Sequence, residues 1–482
     1  MLYRKYVYFS VKQNQNIENK QTQHYPVMFV LKPFTTTTWS KYVYCKHQIR
    51  RCLSFTDLSL DVSLVRKLRS FEIRTPTAIQ EKCCELMLKG QNLVLNSETG
   101  SGKTLAYAVP IVQRIQERRR LKQQKPHPSV VVLLPSVELC YQVGDVFRSM
   151  LGVNVSLVTS DIPMRLKNTD VVVTTPHALS TYPYNVLNET ETIIIDEADI
   201  LIDKRIGKHG RKDPLFRLMN HMLDMENKTF DHDRQFIFVG ATMPDSEVKK
   251  SRKAMTYIRH WVPDIQMVRG DEAHMMLSRL DMIYMDVDRG NKLKYFVKAV
   301  SQLGTENFKM LVFVDTVKTA QKLFQDLTRI DQHHGSTIEK DTFPEQLLLF
   351  QKRWTDSLLL LHRDVSRDDR LTSLDYFNKS RQCILITTDV SARGLDFQDV
   401  DVVLQFDFTK NVTDLIHRVG RTARMGKQGK VINFVTTEDQ RLASLIQEYS
   451  ASGESLDRLF SRRRGLGKAL KRIDEASTEA AL

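Results

Sequence analysis

The sequence predicts an α/β protein of two tandem domains, each a mostly parallel sheet flanked by helices. Three observations carry this. The chain has 482 residues, more than one ordinary core organises. From Phe55 to about Val262, short apolar runs alternate with amphipathic helical stretches. The same alternation then restarts after Met282.

The first set of expected strands is Asn92–Asn96, Val130–Leu134, Val171–Thr174, Thr192–Ile195 and Gln235–Val239. Several are apolar on every residue, as strands buried on both faces of a parallel sheet are. The second set is Met310–Val314, Leu358–Leu361, Cys383–Thr387, Val402–Gln405 and Val431–Val435. The expected domains are therefore 52–262 and 283–450, joined by a linker over 263–282. A basic leader occupies 1–51 and a basic tail occupies 451–482, including Ser461–Arg472 (SRRRGLGKALKR). The basic stretch 203–213 and the stretch 328–353 read as insertions.

Net charge is +14, and residues 1–51 hold nine Lys/Arg against one acid, Glu18. Such a balance suits polyanionic partners. The leader is basic, rich in hydroxyls and acid-poor, like a mitochondrial transit peptide; a basic nuclear or nucleolar arm is the alternative. Residues 1–27 read as an upstream extension, with Met28 as a second possible start. No apolar run is long enough to span a bilayer. The six cysteines form no C-x-x-C pair or zinc spacing, which disfavours structural zinc and, at this chain length, a disulfide framework.

The stretch Asn92–Thr104 (NLVLNSETGSGKT) is strand, glycine loop and helix start. Gly100 and Gly102 let the backbone of Ser97, Glu98, Thr99 and Ser101 approach phosphate oxygens, and the helix N-terminus favours the anion. Lys103 is placed for the β- and γ-phosphates and Thr104 for Mg²⁺; Ser97 stands where the general loop has its first glycine. A buried strand, Ile193–Ile195, ends at Asp196, which can hold Mg²⁺ partly through water, while Glu197 can position the attacking water. A second acidic tetrad, Asp271–His274, has no strand expected before it and reads as solvated charge in the linker.

Together these residues resemble DEAD-box RNA helicases over about 55–440, which implies two RecA-like domains using ATP and Mg²⁺ on RNA. Phe55 and Ile73–Gln80 look like the Q motif, which implies adenine reading by Gln80 and support of its loop by Phe55; Glu72 replaces a family glycine. Gly240–Pro244 (GATMP) looks like the Ser-Ala-Thr coupling motif, with Gly240 for serine and Thr242 kept. Thr387–Asp396 matches motif V, implying ribose contact at Asp396, interface positions at Arg393 and Gly394, and RNA contact at Thr388. His417–Gly426 (HRVGRTARMG) implies arginine fingers at Arg421 and Arg424, with His417 and Arg418 coupling nucleotide state to closure. It opens with His where a DEAH-class chain has Gln.

The RNA motifs depart further. Leu133–Gln142 keeps Ser136 and Glu138 but has Val137 for arginine. Thr174–Leu179 keeps Thr175 but has His177 and Ala178. Leu361–Arg370 has Arg363 and Arg367 for Gly and Gln and keeps Arg370. Fewer first-domain cations imply a weaker phosphate grip, which Arg363, Arg367 and the 203–213 stretch are expected to offset. The leader and the substituted RNA motifs resemble a mitochondrial branch of the family that serves large-ribosomal-subunit assembly, so the expected function is RNA-stimulated ATP hydrolysis with local duplex unwinding or RNP remodelling, by a monomer in mitochondrial ribosome assembly with assembly-protein partners; nuclear or nucleolar ribosome assembly is one alternative. An RNA-binding assembly factor that uses ATP as a clamp is the other.

Overall fold

The computed structural model describes residues 54–459 apart from 123–127, 166, 184–186, 204–212, 227–233, 244–253, 271–274, 277–278, 305–306, 329–342, 393 and 425–426. The leader, residues 460–482, most of both insertions, Pro244, Arg393 and the 271–274 tetrad lie outside the described residues.

Among the described residues, seven strands form the first sheet: β1 (Leu93–Asn96), β2 (Val130–Leu133), β3 (Val155–Val158), β4 (Val171–Thr174), β5 (Thr192–Ile195), β6 (Gln235–Gly240) and β7 (Gln266–Arg269). Their order is β3-β4-β2-β5-β6-β1-β7, and every pairing is parallel. The second sheet holds β8 (Leu280–Asp286), β9 (Lys309–Val314), β10 (Leu358–Leu361), β11 (Cys383–Thr388), β12 (Val402–Gln405) and β13 (Gly429–Val435), in the order β10-β11-β9-β12-β13-β8. It too is parallel throughout.

Alternate strand residues feed opposite faces. Leu93 and Leu95 enter the core beneath helix Lys103–Arg120, and Val94 enters the core on the other face. The second sheet splits likewise, with Leu311 and Phe313 on one side and Met310 and Val312 on the other. Each such aliphatic side chain contributes roughly 1.5–3 kcal/mol by leaving water. The described cysteines, Cys83, Cys84, Cys140 and Cys383, are free and buried. No described helix is long and apolar enough to cross a membrane.

Three strands escaped the sequence reading: β3, β7 and β8, each at a sheet edge. An edge strand has one paired side, so polar residues survive in it, as in QMVR and LDMIYMD. The stretch expected as linker, 263–282, accordingly contributes β7 to the first sheet and the start of β8 to the second. The expectation that no strand precedes the 271–274 tetrad is likewise corrected. β7 pairs with β1, Arg269 opposite Asn96, and the Gly270 amide donates to the Asn96 carbonyl at 2.9 Å.

Candidate functional site

Parallel strands deliver their C-terminal ends to one edge, where the loops are free to carry chemistry. β1 ends at Asn96 and runs into the loop Ser97–Gly102, whose Gly100 and Gly102 have φ of +80° and +84°, a region side chains avoid. Lys103 opens the helix, and its Nζ donates to the Ser97 and Glu98 carbonyls at 2.9 and 2.8 Å. Burial pulls the Lys103 ammonium below its usual range, opposed by Glu197 and Asp196. The loop is further tied by Ser101 Oγ donating to the Glu98 carbonyl at 2.9 Å.

The Q-motif residues meet this loop from below. Gln80 Oε1 accepts from the Thr77 amide at 3.0 Å, and Nε2 donates to the Gly102 carbonyl at 3.2 Å. A primary amide has two donors and two lone pairs, so one of each is left for an adenine edge. Phe55 is buried in the first-domain core, which restricts it to support.

β5 delivers Asp196 and Glu197 next to the loop. Asp196 Oδ2 accepts from the Tyr107 hydroxyl at 2.9 Å, and Oδ1 accepts from the Glu197 amide at 2.8 Å. Burial, then the charge of Glu197, pushes the Asp196 carboxyl up to about 7. Glu197 is held at φ +50°, and its Oε2 is buried with no hydrogen-bond partner. Two crowded, buried carboxyls, one oxygen unpartnered, could hold a divalent cation beside a phosphate loop, with Thr104 and Asp196 the ligands the sequence names for it.

The third acid of this tetrad, Asp199, has no role in the sequence assignment, although it stands three residues after Asp196 at a helix start. The Thr242 amide donates to its Oδ2 at 2.9 Å, and the Thr242 hydroxyl donates to the same oxygen. His417 Nε2 lies 3.4 Å from that oxygen. Burial raises the Asp199 carboxyl, but the hydrogen bonds from His417 and Thr242 prevail and hold it well below the usual carboxylate range. Gly240, in place of a serine, offers no hydroxyl to the acids, and Thr242 makes the hydroxyl link to them. A Cβ on Gly240 would stand 2.9 Å from Met243 Cε and 3.1 Å from the Asp199 carboxylate.

From the second sheet, helix Val412–Val419 brings His417 to Thr242 and Asp199. Thr99 Oγ1 donates to the Gly420 carbonyl at 2.8 Å. Arg424 packs over the phosphate loop, its Cγ 2.8 Å from where a Gly100 Cβ would stand, while its guanidinium holds Asp396 and donates to the Gly420 carbonyl at 3.0 Å. Arg421 is turned inward, donating to the His417 and Leu395 carbonyls. Arg418 corrects an expectation. It is buried within the second domain, paired with Asp389 at 2.7 and 2.9 Å and donating to Gln405 at 2.9 Å, so it anchors the His417–Gly426 stretch to motif V and does not cross the cleft. Gly394, at φ +73°, places its backbone against Leu139 and Glu197. The Asp396 amide donates to Gln142 Oε1 of the first domain at 2.9 Å.

The expected RNA residues line the same edge with mixed availability. Ser136 and Thr175 cap helices Val137–Asp145 and Pro176–Leu179, accepting from Leu139 and Ala178. Thr388 is buried and within 3.3 Å of Ser391 Oγ. Arg370 pairs with Glu138 at 2.6 Å, and Arg367 with Asp161 at 2.6 Å while stacked on Tyr141. Of the two arginines expected to replace lost phosphate contacts, Arg367 is therefore committed to the first domain and Arg363 is the exposed one.

Two sequence families match: DEAD/DEAH box helicase over residues 77–251, and helicase conserved C-terminal domain over 291–426. The DEAD-box ATP-dependent RNA helicase 39 of Arabidopsis thaliana is 30% identical over 424 residues, covering 84% of this chain and 62% of that protein. The ATP-dependent rRNA helicase rrp3 of Aspergillus niger is 29% identical over 400 residues, covering 80% and 74%. Among solved structures, Mss116p bound to ssRNA and AMP-PNP aligns with a TM-score of 0.67 at 19% identity, covering 84% of this chain and 79% of that one. S. cerevisiae Dbp5 bound to RNA and ADP BeF3 aligns at 0.63 and 22%, covering 88% and 99%. These two likenesses establish the fold.

Proposed function

Since the chain belongs to the DEAD-box ATP-dependent RNA helicases, we propose that it hydrolyses ATP at the cleft between its sheets and remodels short RNA duplexes, with ribosomal RNA as the substrate class. The observation that carries this reading is convergence: the phosphate loop, Asp196 with Glu197, and Arg424 from the other sheet meet at one cleft. Lys103 exchanges its loop carbonyls for phosphate oxygens. Glu197 aligns the attacking water and Arg424 neutralises charge developing on the transferred phosphoryl group. Mg²⁺, held by Thr104 and Asp196, supplies further charge neutralisation when bound. Arg421 completes the set by leaving its two carbonyls. Asp199, Thr242 and His417 tell each domain that the other is in place.

RNA lies across the edge carrying Ser136, Thr175, Arg363 and Arg370, and it closes the halves together with ATP. Relatives named as rRNA helicases support the substrate class. The basic leader supports a mitochondrial site of action in large-subunit assembly, with the nucleolus as the alternative; a fusion of residues 1–51 to a fluorescent protein, located in cells, decides between them. Val137, Ala178 and Gly240 favour a second reading, an assembly factor that uses ATP as a clamp with little unwinding.

RNA-stimulated ATPase and strand-displacement assays test the proposal. Lys103→Ala and Glu197→Gln each lower ATP turnover at least a hundredfold, about 2.7 kcal/mol of barrier. Full complementation of a null strain by either variant would overturn the enzymatic reading. Turnover without strand displacement selects the clamp.

A further inference from the structure

Helix Lys103–Arg120 places Thr104 and Tyr107 three residues apart, on one face. Tyr107 is fully buried, and its hydroxyl donates to Asp196 Oδ2 at 2.9 Å. One rigid phenol, on the same helix as Thr104, thus holds Asp196, which comes from the end of β5. The other Asp196 oxygen is fixed by the Glu197 amide at 2.8 Å. Both carboxylate oxygens are therefore oriented by the protein, with lone pairs still free on each.

We propose that Tyr107 is a positioning residue for the metal-nucleotide site: its hydroxyl fixes the orientation of Asp196 relative to the helix that carries Thr104. A buried phenol needs some acceptor, and any carbonyl in this core would serve that need. The choice of Asp196, a metal-site residue, as the acceptor gives the contact its function. Groups that orient metal ligands typically contribute 10–100-fold to metal affinity or activity. The inference rests on the nucleotide-site reading above.

Tyr107→Phe in the full chain removes only the hydroxyl. Binding of a fluorescent ADP is measured against Mg²⁺ concentration and again in EDTA. The expected result is unchanged ADP affinity in EDTA with a Mg²⁺ half-saturation raised at least tenfold. A half-saturation within twofold of wild type, with ADP still bound, overturns the role of Tyr107 and leaves the nucleotide site standing. Absence of ADP binding in wild type overturns the site reading itself. A purely structural role would lower thermal stability and shift both affinities together, which also counts against the proposal. Should the phenylalanine variant fail to fold, 3-fluorotyrosine at position 107 keeps the packing. Its ¹⁹F resonance is expected to move when Mg²⁺ joins bound ADP; a resonance unmoved by the metal overturns the proposal.

Discussion

Asp196 shows how a residue can serve chemistry against the stability of its own fold. In the folded chain its carboxyl titrates at about 7 because burial and the neighbouring Glu197 charge oppose ionisation; in an unfolded chain an aspartate titrates near 3.9. The folded state therefore holds this proton more tightly. The resulting stability is fully present below pH ~4 and is lost as pH rises through about 7. Asp196→Asn is expected to abolish ATP turnover measured with Mg²⁺ and, in metal-free protein, to raise Tm at pH 8 by several degrees while leaving Tm at pH 4 nearly unchanged. Melting curves at the two pH values, without nucleotide or Mg²⁺, check this; an equal shift at both would assign the effect to packing. Much at this scale was legible in sequence. Lys103, Asp196 and Glu197 declare themselves by following apolar strands. Glu72, read as standing in for a glycine, does adopt φ +61°. What a sequence conceals is which atoms a side chain already holds. Nothing in the spacing of three arginines distinguishes buried Arg418 from Arg424 on the phosphate loop.

Among elements, interior strands are legible because burial on both faces leaves them uniformly apolar. The edge strands β3 and β7 were not, because their polar residues interrupt the pattern, and β8 was lost for the same reason. The pairing of helix Val137–Asp145 with helix Arg367–Lys379 was equally hidden. Arg370 meets Glu138, and Arg367 meets Asp161 and Tyr141, so the face that lost first-domain cations carries contacts between domains. The Arg370–Glu138 pair is about four-fifths buried or more on each side. A double-mutant cycle with Arg370→Ala and Glu138→Ala, read as nucleotide-dependent domain closure by fluorescence transfer, is expected to give a coupling of about 1 kcal/mol that salt reduces little, because burial shields the pair from screening. Additive effects of the two substitutions would show that the pair does not support closure.

Across the whole molecule, the cleft is assembled from two sheets that each lack something. The first holds the phosphate loop and acids; the second holds Arg424, His417 and the Gly394 turn. With no Cβ at Gly394, the second-domain backbone can reach Leu139 and Glu197; a methyl there would stand 2.6 Å from Leu139 Cδ2. Such contact leaves no partial fit, because packed surfaces resist gradual deformation. The consequence is statistical. Single-molecule distances between the halves should fall into two separate populations, with few molecules in between, and ligands should change how many occupy each without moving either peak. Gly394→Ala should empty the short-distance population. A single peak sliding smoothly with nucleotide concentration would contradict this. The missing methyl thus makes the enzyme a digital device, one whose output is set by occupancy and not by degree.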